Sequence, residues 1–207
     1  MGGEGHDHLD QWPPVRYVGR MDETRGSGSP AAPAESGPRA AREFPIVHWQ
    51  WCAFGSLQPA ELYAALALRA AVFVVEQGCA FLDLDGHDAC AHHLLGWRAD
   101  PDGGHEALVA YLRVLPPLQK YPEPSIGRVI THSEYRGIGL GGALMAEGVA
   151  RTRDAFPGVA IRIGAQQRLH RFYERLGFAQ ASSPYDEDGI AHIEMMLPAL
   201  ASVPTRE

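Results

Sequence analysis

The sequence predicts an α/β sandwich: a mixed central β-sheet with helices on both faces. Three observations predict it. Segments with apolar residues at every second position alternate with segments at helical spacing, in the order β, α, β, β, β, α, β, α, β. The stretch Ser125–Met145, SIGRVITHSEYRGIGLGGALM, reads as a short buried strand, a polar turn, a glycine-rich loop and the opening of a helix. Asp100-Pro101-Asp102-Gly103-Gly104 lies between two β-rich runs and is a hairpin signal.

The 207 residues are 45% hydrophobic and 21% charged, which suits one globular domain with room for a tail. Residues 1–44 are set apart. Gly26–Pro38, GSGSPAAPAESGP, is low in complexity and has no apolar period, so it cannot bury enough surface to offset its ordering entropy. We read 1–44 as a tail, with His6 and His8 solvated, 45–200 as the folded domain, and 201–207 as a C-terminal tail.

The elements follow in order. Ile46–Phe54, IVHWQWCAF, is a strand with Trp49 and Trp51 on one face. Pro59 suits a first helical position, and Leu62, Leu66, Ala70 and Phe73 follow at helical spacing, so a helix runs from Pro59 to about Val72. Glu76-Gln77-Gly78 ends that element, and Asp83-Leu84-Asp85-Gly86 is turn chemistry. His92–Arg98 and Ala107–Leu115 are the two arms of the hairpin. Val129-Ile130-Thr131 is β-branched throughout, which marks the central strand. The helix after the glycine-rich loop runs to roughly Ala155 and is closed by Pro157-Gly158. Val159, Ile161 and Ile163 alternate as a strand. Leu169, Phe172, Tyr173 and Leu176 mark a further helix with Gly177 at its stop, and Ala191, Ile193, Met195 and Leu197 alternate as the last strand.

Composition excludes several function classes. The formal net charge is -7 and there is no basic stripe, so nucleic acid is not an expected partner, and the balance weakly favours a cationic substrate. Cys52, Cys79 and Cys90 form no C-x-x-C pair and leave an odd count, which suits reduced thiols and a cytoplasmic protein. No apolar run approaches the roughly 18 residues of a membrane span, and the polar, acidic start MGGEGHDHLD is not a secretory signal. His92 and His93 are adjacent on a strand and face opposite ways, so they form no metal pair.

The chemistry concentrates at Arg136-Gly137-Ile138-Gly139-Leu140-Gly141-Gly142, with four glycines among seven residues. Glycines let the backbone approach a ligand closely, and the helix N-terminus that follows presents unpaired N–H groups and the positive end of its dipole. Together they make an anion site, most naturally for phosphate. A Walker loop is excluded because the one lysine of the chain is Lys120, and the glycine spacing does not fit a Rossmann loop. A tight strand–helix connection that binds nothing is the alternative.

The pattern Arg136-x-x-Gly139-x-Gly141 resembles the [QR]-x-x-G-x-[GA] pyrophosphate loop of the GNAT superfamily of N-acetyltransferases. Phe172-Tyr173-Glu174-Arg175-Leu176-Gly177-Phe178 resembles that superfamily's F-Y-x-x-x-G-F helix, which follows its fifth strand. The resemblance covers roughly 46–198. Arg69–Gln77 (RAAVFVVEQ), Asp83–Asp88 (DLDGHD) and Gly189–Ile193 (GIAHI) are similar to the ElaA-like branch.

The resemblance implies acetyl-CoA as co-substrate, no metal, and a small amine or a protein amine as acceptor; it leaves room for a homodimer. It implies that the backbone of Val129, Ile130 and Thr131 pairs with the pantetheine arm, that N–H groups from Arg136 to Gly142 hold the pyrophosphate, and that Phe172 flanks the cofactor while Tyr173 points at its sulfur. Gln166 stands where many members place a pantetheine-binding asparagine. The departing thiolate needs a proton, and a tyrosine with an ordinary pKa near 10, against about 8.5 for a thiol, can donate one. Packing of Tyr173 as a core aromatic is the other reading. Glu76 and His192 are the candidates for the base. A carboxylate at a helix C-terminus opposes the dipole, so Glu76 has either a functional role or a bond to the loop. His192 is either a base or a satisfied structural histidine. Arg69, Asp83 and Asp85 are candidate acceptor contacts, although the acidic residues can equally cap and turn a loop. Two other functions stay open: an acyl-homoserine-lactone-synthase-like acyltransferase, and a coenzyme A-binding regulatory module without turnover.

Overall fold

The computed structural model describes residues 44–78, 81–99 and 107–200. Both tails, apart from Phe44, and the turn at 100–104 lie outside the described residues. The elements are β1 (Val47–Ala53), α1 (Pro59–Arg69), β2 (His92–Arg98), β3 (Ala107–Leu115), β4 (Ser125–Thr131), α2 (Leu140–Ala155), β5 (Ile161–Gln166), α3 (His170–Glu174), β6 (Ala179–Gln180), β7 (Tyr185–Glu187) and β8 (Ile190–Leu197). The strands form one sheet in the order β1-β2-β3-β4-β5-β8-β6, with β7 also on β8. The β4–β5 pair is parallel and the rest are antiparallel, so the sheet is mixed as predicted.

The period-2 pattern divides the core between the two faces. Leu94 and Leu112 pack with Leu140, Leu144 and Met145 of α2, and with Tyr173 and Phe178, on one face. Leu95, Tyr111 and Ile130 pack with Ala65, Leu68 and Val72 on the other. The adjacent histidines part in the same way: His92 stacks on Trp51, whereas His93 bonds the Tyr111 hydroxyl at 2.8 Å.

The first helix departs from its sequence pattern. Beyond Arg69 its turns widen to π-helical geometry over Ala70–Glu76, and the amide of Gln77 reaches the carbonyl of Val72 at 3.0 Å, an i to i−5 bond. Val72, Val74 and Val75 are stiff β-branched residues that favour a regular α-helix weakly. The short strands β6 and β7 carry no periodic signal of their own, and pairing with β8 defines them.

Two irregularities open the sheet at its centre. Tyr111 pairs with Ile130 but Arg113 pairs with Gly127, so two steps along β3 match three along β4. Arg128 lies in this bulge with φ 53°, a left-handed conformation costly for a side chain this large. Beyond it, β4 and β5 diverge, and their ladder is confined to Ser125 against Arg162.

Candidate active site

The divergence leaves a cleft of about 670 Å³ between β4 and β5. Arg128 and Val129 of β4, Gly164 and Ala165 of β5, Tyr173 of α3 and His192 of β8 all line it. From the bulge to Thr131, whose carbonyl Arg136 occupies, the β4 edge facing β5 has no ladder partner there, so its remaining amides and carbonyls can receive an extended ligand.

The glycine-rich loop follows β4. Gly137 and Gly139 have φ values of 78° and 93°, which a side chain would strain, and Gly139 occupies the N-cap of α2. No side chain caps that helix. A Cβ at Gly137, Gly139 or Gly142 would meet nothing within 4 Å, and one at Gly141 would meet the Phe172 ring at 3.8 Å. The loop is therefore an open cradle of backbone edged by Phe172, which in turn packs edge-on against Tyr173 at 4.9 Å between ring centroids. Ile138 and Leu140 anchor the cradle by packing into the core beneath it.

The Arg136 guanidinium is taken up by partners outside the glycine loop. Its Nη1 and Nη2 donate to the Glu76 carboxylate, the latter at 2.9 Å, while Nε and Nη2 reach the Thr131 carbonyl at 3.1 Å. The hydrogen bond from Arg136 holds the Glu76 carboxyl below its ordinary pKa. This pair ties the end of the π-helical turns to the loop and to β4.

Tyr173 is buried, and burial pushes its hydroxyl up to about 12. His192 Nδ1 lies 2.9 Å from the Ile190 carbonyl. A carbonyl only accepts, so Nδ1 carries a proton, and the Nε2 lone pair belongs to the tautomer with that proton on Nδ1. The Oε2 of Glu187 is 3.9 Å from Nδ1. Gln166 ends β5 and caps the single 3-10 turn Gln167–Leu169 that leads into α3, at the start of the last helical segment as expected. Its Nε2 donates to Gln77 at 3.3 Å and its Oε1 accepts from Arg168 Nε at 2.8 Å.

Under the β4 bulge lies a cluster of three arginines and three aspartates. Arg69, 1% exposed, donates to Asp83 Oδ2 at 2.8 Å, to the Asp83 carbonyl at 2.7 Å and to Asp88 at 2.7 Å. Arg113 bonds Asp85 at 2.6 and 2.7 Å and shares Asp88 at 2.8 Å. Arg128 contacts Asp83 Oδ1 at 2.6 Å and Asp85 Oδ2 at 3.1 Å, and lies over the rings of Phe73 and Phe81. The bonded arginines hold Asp85 and Asp88 below the usual carboxylate range, against the burial that alone would raise them.

Comparison with known proteins agrees with this geometry. Residues 107–198 match the family described as acetyltransferase (GNAT) domain. Protein ElaA of Escherichia coli is 39% identical over 152 residues, which are 72% of this chain and 95% of ElaA. The UPF0039 protein sll0451 of Synechocystis is 41% identical over 150 residues, 72% of this chain and 94% of the relative. The chain belongs to the ElaA-like branch of the GNAT superfamily. The crystal structure of E. coli ElaA superposes with a TM-score of 0.67 at 38% identity, covering 73% of this chain and 99% of that one. An acyl-CoA N-acyltransferase from Pseudomonas aeruginosa superposes at 0.68 and 38% identity, with coverages of 73% and 99%.

Within this GNAT scaffold the predicted residues separate into groups. Val129, Tyr173, Gln166 and His192 line the cleft, and the loop from Arg136 to Gly142, with Phe172, forms the cradle beyond β4. Glu76 is engaged by Arg136, so of the two roles its helix-end position allows, the bond to the loop is the one observed. Arg69 is no acceptor contact: its guanidinium is buried and occupied by Asp83 and Asp88. Asp83 is buried in the same cluster, whereas Asp85 reaches the cleft wall with both oxygens held by arginine. Sequence reading missed Arg113 and Arg128. Arg113 in the apolar run of β3 was the available signal, since a charge at a core position demands a buried partner.

Proposed function

We propose that this chain is an acetyl-CoA-dependent N-acetyltransferase in which an amine attacks the thioester directly while both substrates are bound. The observation that carries this reading is that an open glycine loop follows the strand whose unpaired edge borders the cleft. The backbone cradle Gly137–Gly142 suits a diphosphate, the unpaired β4 edge suits an extended amide-bearing arm, and the cleft with Tyr173 and His192 suits the reacting atoms.

Each residue then has a task. The amides of the cradle and the uncapped first turn of α2 hold the diphosphate. The main chain of Val129, Ile130 and Thr131 positions the pantetheine arm as a sheet partner would. An amide of the bulged β4 faces the thioester oxygen and stabilises the charge that develops there. His192 Nε2 takes the proton of the incoming ammonium, which must be neutral to attack. Tyr173, protonated throughout the neutral range, donates to the sulfur as the C–S bond breaks. Glu76 acts through Arg136, fixing the loop. Gln166 adds an amide to the cofactor side of the cleft, and Asp85 faces the acceptor side.

The test is a free-thiol assay with a panel of small amines and lysine- or N-terminal-amine peptides, alongside calorimetric titration with acetyl-CoA. Thiol release dependent on one class of amine supports the reading. Tight binding with no turnover on any amine would replace it with the regulatory-module reading.

A further inference from the structure

Lys120 is the single lysine of the chain, and it lines the active-site cleft. It lies in the loop between β3 and β4, and its side chain crosses toward β5. A Cβ placed on Gly164 would come within 3.8 Å of its Nζ, and within 3.3 and 3.2 Å of the hydroxyls of Tyr121 and Tyr185. Gly164 lacks that atom, so amine and phenols converge over bare backbone. The ammonium lies 5.4 Å from the centre of the Tyr121 ring and 3.6 Å from Glu187 Oε1, at ordinary cation–π and ion-pair range. The other oxygen of Glu187 is the one 3.9 Å from His192. A primary ammonium, a carboxylate and an imidazole thus line the cleft together, with the Tyr121 ring beside the ammonium.

We infer that Lys120 is an acetylation site within its own active site, modified in cis by bound acetyl-CoA. The inference rests on the proposed acetyltransferase reading. Nζ meets the requirements of an acceptor: a primary amine on a flexible four-carbon stem, lining the same cleft as His192 and Tyr173, where the proposed function puts the thioester. His192 accepts the proton from the ammonium. The Nζ lone pair forms a C–N bond to the acetyl carbonyl carbon, the C–S bond breaks, Tyr173 protonates the departing sulfur, and the second proton that the nitrogen sheds as the amide forms restores the Tyr173 hydroxyl. The products are Nε-acetyl-Lys120, free coenzyme A thiol and one proton. The amide formed carries no charge, so its ion pair with Glu187 is lost.

The test uses the full chain incubated with acetyl-CoA and followed by intact-protein mass and peptide mapping. We expect one acetyl group on Lys120, distinguished by mapping from the α-amine of Met1, and none on that peptide in Lys120→Arg. The modified fraction at a given time should not depend on protein concentration, since the step is intramolecular. The rate should fall by about 10²–10⁴-fold, the order expected for losing an acid or base, in Tyr173→Phe and His192→Ala. Calorimetry with acetyl-CoA and the amine panel run in parallel keep the two claims apart. A protein that binds acetyl-CoA and acetylates an added amine while Lys120 stays unmodified overturns this inference and leaves the proposed function standing. Equal rates in the urea-unfolded chain, or a rate that scales with protein concentration, also overturn it. A protein that neither binds acetyl-CoA nor releases thiol overturns both.

Discussion

Replacing Arg69 by methionine decides whether this arginine holds the fold or meets a substrate. The side chain is 1% exposed and makes three bonds of 2.7–2.8 Å to Asp83 and Asp88. Methionine keeps much of the volume but leaves a cluster of two arginines and three aspartates. Removing one partner from a buried ion-pair network costs about 3–5 kcal/mol. At about 2–4 °C per kcal/mol for a domain of this size, the melting temperature should fall by about 6–20 °C. Arg69→Lys keeps the charge but not the planar fork, so it should fall between the two. The pH dependence has a definite sign. Asp85 and Asp88 have depressed folded pKa values, so the stability they contribute is fully present above the ordinary carboxylate pKa, about 4, and is lost as pH falls through the folded values. Arg69 bonds Asp88 and not Asp85, so it is through Asp88 that the gap between wild type and Arg69→Met should narrow once the pH, lowered from about 7 toward about 3, passes below about 4. The assay is thermal unfolding by circular dichroism across that range, with acceptor KM measured on the folded variants. A variant that melts like wild type yet has a raised acceptor KM would refute the structural role and restore Arg69 as a substrate contact.

The remaining predictions concern the cleft and the core. Tyr173→Phe should lower kcat and kcat/KM together by about 10²–10⁴-fold, with acetyl-CoA affinity nearly unchanged; full activity in steady-state turnover would remove the hydroxyl from the mechanism. Gly139→Glu should abolish acetyl-CoA binding in calorimetry, whereas Gly139→Ala, which bears the same φ 93° strain without the charge, should retain more of it; equal affinities would count against a diphosphate at the loop. Gly148→Ala should destabilise despite alanine's better helix propensity. The added Cβ would lie 2.5 Å from Leu112 Cδ2 in the fully buried core, and overpacking costs about 1–3 kcal/mol. An unchanged or raised melting temperature would show that Leu112 can move aside.

The sequence by itself determined the features governed by near neighbours. Period-2 runs placed Leu94 and Leu95 on opposite faces, and glycines marked the left-handed positions at Gly139 and Gly177. The loop motif and the Phe172-Tyr173 pair could be read because their spacing is local, fixed by one turn and one helix. Tertiary structure decided what depends on distant partners. Asp83 and Asp85 carry the same signal whether they bind a cation, cap a turn or neutralise an arginine, and the choice was made by Arg69, Arg113 and Arg128 arriving from three other elements. Glu76 met Arg136 across 60 residues of chain; the helix-end argument allowed a bond to the loop but could not choose it over a functional role. The opening of the sheet belongs to the same class. Within β4 only Gly127 hints at a bulge; the left-handed backbone of Arg128 goes with two aspartates and two aromatic rings, all from other segments, that hold its side chain. Local propensity acts over a few residues, whereas a buried charge is stable only beside partners that folding brings together.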